Sequence, residues 1–208
     1  MDKYDPKRAF KHLYLPSKRE FSLVDVPQMR FLAVDGEGDP NTARAYTEAV
    51  EALFSVSYTV KFQSRNELGQ DYVVGPLEGL WRADDVTAFT RRVKDAWQWT
   101  MLVSQPGWIN QAMIDEARTK AQARKELPAA GRLRLIDLTE GPSAQILHVG
   151  SYEDEAPVLA RLHGEFMPGR ALTFNGDHHE IYLSDPRRTP PQKWRTVLRQ
   201  PVRPVGPA

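Results

Sequence analysis

His178-His179-Glu180-Ile181-Tyr182-Leu183-Ser184-Asp185 alternates polar and apolar residues, with β-branched and aromatic side chains in the middle. That pattern predicts a half-buried strand. Side chains alternate between sheet faces, so Ile181 and Leu183 point one way and His178, Glu180 and Tyr182 the other. A carboxylate and a phenol two residues apart on one face suit either chemistry or a solvated surface. The rest of the chain decides between them.

Working outward, this stretch closes a unit that occurs twice. The first copy, about residues 29–83, reads strand (Phe31 to Val34), a Gly/Asp turn, helix (Thr42 to Phe54), strand (Ser57 to Phe62), then Pro76-Leu77-Glu78-Gly79-Leu80-Trp81. The second, about 143–185, reads strand (Gln145 to Val149), turn, helix (Asp154 to Phe166), strand, then the opening stretch. Each copy places a glutamate, Glu78 or Glu180, at the start of its final strand. The expected fold is α+β: a pseudo-two-fold duplication of strand–helix–strand–strand units, with a mostly antiparallel sheet, helices on one face and a central cleft.

Other elements follow from local signals. Asp39 or Asn41 can cap the first helix. Ala96 to Ser104 is a strand with Trp97, Trp99, Met101 and Val103 on one face. Ile109 to Glu126 is an amphipathic helix. Asp84 to Asp95 is a short helix or a loop. Asn175-Gly176-Asp177 predicts a hairpin between Ala171–Phe174 and His178–Ser184. Thr189-Pro190-Pro191 can start a short helix through Leu198. Residues 1–18 form an arm held by a few aromatics, 19–202 one domain, and 203–208 a loose tail.

Composition narrows the function classes. With 28 basic and 27 acidic residues the net charge is +1, so the chain as a whole is no polyanion binder. The absence of cysteine excludes disulfides, thiol nucleophiles and thiolate metal sites. It fits a cytoplasmic protein. No apolar run is long enough to span a membrane, and no signal peptide is visible. No Walker, Rossmann or nucleophile-elbow pattern occurs. His178 and His179 point to opposite faces and cannot easily share an ion, so neither a metal nor a cofactor is expected.

Several motifs carry a resemblance: VDGEGDPN (34–41), PLEGLW (76–81), WTMLVSQPGWI (99–109) and HHEIYLSDPRRTPPQKWRTVLRQPV (178–202). Over about residues 19–202 the chain resembles the GyrI-like small-molecule-binding domain. The resemblance implies a cleft lined with aromatics that takes flat cationic or lipophilic compounds, with a glutamate as counter-charge. Only some 18 residues precede the domain, so a stand-alone member without direct DNA binding is expected. A homodimer is left open. The stand-alone subgroup it is similar to hydrolyses electrophilic cyclopropane-containing toxins. The alternative is a non-catalytic ligand sensor or sequestering protein.

By the same resemblance, Glu180 and Tyr182 are the catalytic candidates. Trp81, Trp99, Trp108 and Glu78 are ligand-binding candidates, and Tyr152 joins them. Arg82 stands where a second aromatic is expected and would work against cationic ligands. In an apolar pocket a carboxyl's pKa rises, which equips Glu180 for acid–base work.

Overall fold

The computed structural model describes residues 3–82 and 96–206, so the expectation for Asp84 to Asp95 lies outside the described residues. In chain order the elements are α1 (Pro6–Ala9), α2 (Lys11–Tyr14), β1 (Ser22–Val26), β2 (Met29–Glu37), α3 (Arg44–Leu68), β3 (Leu77–Arg82) and β4 (Gln98–Gln105). They continue with α4 (Gln111–Gln122), β5 (Arg134–Leu138), β6 (Gly141–Val149), α5 (Ala156–Arg161), β7 (Leu172–Phe174), β8 (His178–Tyr182) and β9 (Arg195–Pro204). The chain divides into two compact units, one of Met1–Ala9 with Met29–Leu138 and one of Phe10–Gln28 with Thr139–Ala208.

In the first unit the strands lie in the order β3-β4-β2-β5, antiparallel throughout. Helix α3 covers the face that carries Trp99, whose indole meets Tyr46 edge-on at 5.3 Å between ring centroids. The strand expected at Ser57 to Phe62 is instead the middle of α3. Its β-branched residues favour a strand locally, but Ala49, Leu53, Val56, Val60 and Ser64 are buried at three- and four-residue spacing. Tertiary packing of that stripe decides. Neither Asp39 nor Asn41 caps α3: its N-cap is Ala43, and Asp39 closes its own turn by accepting from the Asn41 amide. Gly69, at φ 67°, ends the helix in the left-handed conformation.

The second unit repeats the plan as β8-β9-β6-β1, again antiparallel. Within the expected bounds the order is β2-α3-β3 in the first copy and β6-α5-β7-β8 in the second, and β4 and β9 lie beyond them. The expected hairpin does not form: β7 and β8 both pair with β9, at Val202–Pro204 and Thr196–Arg199. The turn between them is tied to β9, with Pro201 accepting from the Asn175 amide and Gln200 donating to the Gly176 carbonyl. The short helix expected through Leu198 is only a 3-10 turn at Pro191–Lys193, and β9 runs on to Pro204, into the stretch expected to be a loose tail. Residues 152–166 form a 3-10 turn, α5 and a π-helical turn, not one helix. They pack Leu162 and Met167 on Ala144 and Val202. The opposite face carries the N-terminal arm, with Leu13 and Tyr14 buried.

Candidate functional site

Strand β8 sorts its side chains as its alternation requires. His179 and Ile181 are wholly buried on one face; His178, Glu180 and Tyr182 lie on the face covered by residues 152–166. Register extends that face across the sheet: Glu180 lies opposite Leu198 and then Ile146, and Tyr182 opposite Thr196 and then His148. The Tyr182 hydroxyl donates to Glu180 Oε2 at 2.7 Å, and His178 Nε2 lies 3.6 Å from Glu180 Oε1. The turn before α5 is fixed by Asp154, which accepts from the Ser151 amide and hydroxyl. It aims Tyr152 and Glu155 at the same place. The Tyr152 ring stands edge-on to Tyr182 at 5.6 Å and tilted against Trp194 at 4.7 Å. Trp194 is held in turn by its indole N–H on the Thr189 carbonyl.

Two carboxyl groups therefore share an environment that suits neither as an anion. Glu155 is buried, and its Oε1 has no hydrogen-bond partner. Burial, and then the charge of Glu180, push its pKa far up, against the Thr196 hydroxyl. Burial also raises Glu180, while the Tyr182 hydrogen bond and the His179 charge hold it lower. Glu155 is thus the protonated member at neutral pH, and Glu180 the one that can lose its proton. Two like groups with pKa values pushed apart are an acid and a base side by side. The Glu180 side chain keeps 16% of its surface exposed. Tyr152 is raised by burial and by both glutamates, and stays a neutral hydrogen-bond donor.

The two adjacent histidines serve different faces. His178 stays neutral, its pKa lowered by burial to about 3. His179 joins a fully buried network on the opposite face, with Nδ1 2.9 Å from Glu140 Oε1. Arg199 donates to Glu140 Oε2 at 2.9 Å, to Gln145 Oε1 at 3.2 Å and to the Leu13 carbonyl at 2.9 Å. Burial alone would raise the Glu140 pKa, but His179 and Arg199 bring it down to about 2. This network fastens the N-terminal arm. Among the described residues, no three histidine, aspartate or glutamate side chains are grouped to hold a metal ion.

The first unit holds the remaining candidates. Trp99 is wholly buried, and Trp81, 5% exposed, meets Trp97 edge-on at 5.6 Å. Trp108 packs against Tyr4 and Tyr72 and donates to the Ser64 hydroxyl at 3.0 Å. Arg82 donates to Gln98 and to Thr100, which donates to Asp35. Glu78 is buried on the sheet face opposite α3, whereas Glu180 lies on the face its own helix covers. Of the candidates, Glu180, Tyr182 and Tyr152 lie together in the second unit. Glu155, Thr196 and Trp194 complete that cluster and were not singled out in the sequence. The one available signal was the three-residue spacing of Tyr152 and Glu155, which puts both on one side of a helical turn.

The GyrI-like small molecule binding domain matches residues 19–203. The chain belongs to this family. A protein of Listeria innocua described as uncharacterized and conserved is 36% identical, with a TM-score of 0.87 over 97% of this chain and 100% of its own. A structure described as a hydrolase from Listeria innocua is 34% identical, with a TM-score of 0.84 and the same coverage. The EcmrR C-terminal domain, 9% identical over 89% of this chain and 98% of its own, shares the fold with a TM-score of 0.56. No curated protein matches. As a GyrI-like domain the chain is built to bind small molecules, and no helix among its described residues is long and apolar enough to cross a membrane.

Proposed function

We propose that this GyrI-like chain captures hydrophobic or cationic aromatic compounds at the Glu180 cluster and hydrolyses those that carry an electrophilic cyclopropane. The observation that carries the reading is the pairing of a Tyr182-bonded Glu180 with the protonated Glu155 under the Tyr152 and Trp194 rings. The aromatic faces take the flat body of the ligand. An ionised Glu180 adds attraction for a cation, and each cation–aromatic contact contributes roughly 0.5–2 kcal/mol. The hydrolase from Listeria innocua, about one-third identical over nearly the whole chain, supports the catalytic part.

The step balances as an addition of water. Glu180 takes a proton from water as its oxygen bonds to the ring methylene carbon. The strained C–C bond breaks, and its electron pair passes through the conjugated system to the carbonyl oxygen. Glu155 delivers a proton to that oxygen, and transfer from Glu180 to Glu155 restores the starting state. Tyr182 holds the second carboxylate oxygen of Glu180 and so orients the base.

Mass spectrometry of a cyclopropane-bearing electrophile incubated with the protein tests this. A product heavier by one water, absent with Glu180→Gln, is the expected result. Quenching of tryptophan fluorescence by a rhodamine dye, without any product, would leave the sequestering protein as the better reading.

A further inference from the structure

The outer face of α3 carries a pattern that the Glu180 site does not use. Tyr58 and Phe62 are 48% and 45% exposed, and Phe54, half-buried, lies one turn before Tyr58 with the two rings 6.4 Å apart. Spacings of four residues put all three rings on one stripe of the helix. One further turn out in each direction the stripe ends in opposite charges. Glu51 stands seven residues before Tyr58, with Lys125 as its partner, and Arg65 stands seven after it, its guanidinium 5.1 Å over the Phe62 ring. The sequence Glu51, Phe54, Tyr58, Phe62, Arg65 is therefore symmetric about Tyr58 in shape and antisymmetric in charge.

Such a stripe complements a copy of itself. If two α3 helices pack antiparallel about a two-fold axis at Tyr58, each residue faces the one equally far on the other side of position 58. Phe54 then meets the other copy's Phe62, and Glu51 meets its Arg65, twice by symmetry. In a two-fold interface every contact is made reciprocally, which this spacing satisfies without any other partner. Three aromatic side chains on a solvent-facing helix stripe are the kind of exposed apolar surface that marks an association site.

We propose that α3 is the interface of a symmetric homodimer, centred on Tyr58 and registered by the Glu51–Arg65 pairs. The buried area is that of one helix stripe, at the small end of specific interfaces, so the dimer forms reversibly with concentration. Sedimentation velocity of the full chain over a concentration series tests it, with circular dichroism to verify folding. The wild type shifts from monomer to dimer as concentration rises, and Tyr58→Arg stays monomeric. Arg65→Glu and Glu51→Arg each abolish the dimer by setting like charges opposite each other. The double variant Glu51→Arg/Arg65→Glu restores it, although its Lys125 contact is lost. A wild type that stays monomeric at the highest reachable concentration overturns the proposal. So does a dimer indifferent to Tyr58→Arg, or a double variant that fails to dimerise.

Discussion

The two units of this chain use one plan for opposite ends. On the helix-covered face of the first sheet, Trp81, Trp99 and Gly36 form one cross-strand row and Gly79, Met101 and Val34 the next. On the helix-covered face of the second, the corresponding rows are Tyr182, Thr196 and His148, then Glu180, Leu198 and Ile146. In the first unit an indole fills the space over a glycine; a Cβ on Gly36 would stand 2.1 Å from the Trp99 ring. In the second, the same place holds a phenol, a hydroxyl and two carboxyl groups. A shared plan thus serves as packing in one half and, on the proposed reading, as a site in the other, which would place the function in the residues rather than in the fold.

The sharpest way to break the comparison is to neutralise its polar half. Glu180→Gln removes the proposed base while leaving the shape intact, and turnover of a cyclopropane electrophile is expected to fall by about 10²–10⁴-fold. Dye binding by a neutral ligand should persist. Turnover within about twofold of wild type would remove Glu180 from the mechanism.

The faces away from the helices offer a second contrast, between two ion pairs. Arg199 with Glu140 is buried, at 2% and 4% side-chain exposure, whereas Arg134 with Asp35 is about half exposed. Removing one member of a buried pair leaves the other charged and out of water. Arg199→Leu should therefore cost about 3–5 kcal/mol in urea unfolding and free the arm at Leu13. Arg134→Leu should cost less than about 1 kcal/mol. Equal effects would mean that burial does not govern these pairs. On the packed half, Gly36→Ala forces a methyl into the Trp99 ring and should cost about 1–3 kcal/mol.

Much of this contrast was legible in the sequence, and the failures share a cause. Alternation alone placed Glu180 and Tyr182 on one face and separated His178 from His179, because a strand's period leaves no choice. The repeat was visible for the same reason, as an order of short-range signals. Matching Glu78 to Glu180 failed by one residue of register, which is enough to exchange sheet faces. Residues 57–62 read as strand because a short run of Ser, Tyr, Thr and Val carries β propensity, while the stripe that makes it helix extends over 25 residues. Strand β9 was hidden behind prolines that sit at its C-terminal end, and the Asn175-Gly176-Asp177 turn says nothing about which strand its flanks pair with. Glu155 carries no signal in the sequence, since its burial depends on Thr196 and Glu180 arriving from distant strands.

Glu155 also gives the finest test, because it separates the acid from the base. A carboxyl whose pKa is raised in the folded state binds more protons folded than unfolded. Its contribution to stability is fully present below the unfolded value near the ordinary carboxylate range and is lost as pH rises through the folded value. Glu140 runs the other way: its folded pKa is about 2, so its contribution is present above the unfolded value and is lost only as pH falls toward 2. As pH rises above the ordinary carboxylate range, the falling part of the stability profile therefore belongs to Glu180, whose share is spent by about pH 7, and to Glu155, whose share extends into the alkaline range. Glu155→Gln should flatten that fall, measured as the urea midpoint across pH. Glu155 is uncharged where Glu180 loses its proton, so the acid limb of any turnover profile should stay where it was while the maximal rate drops. If the maximal rate holds, Glu155 is not the acid, and the polar half of the comparison rests on Glu180 alone.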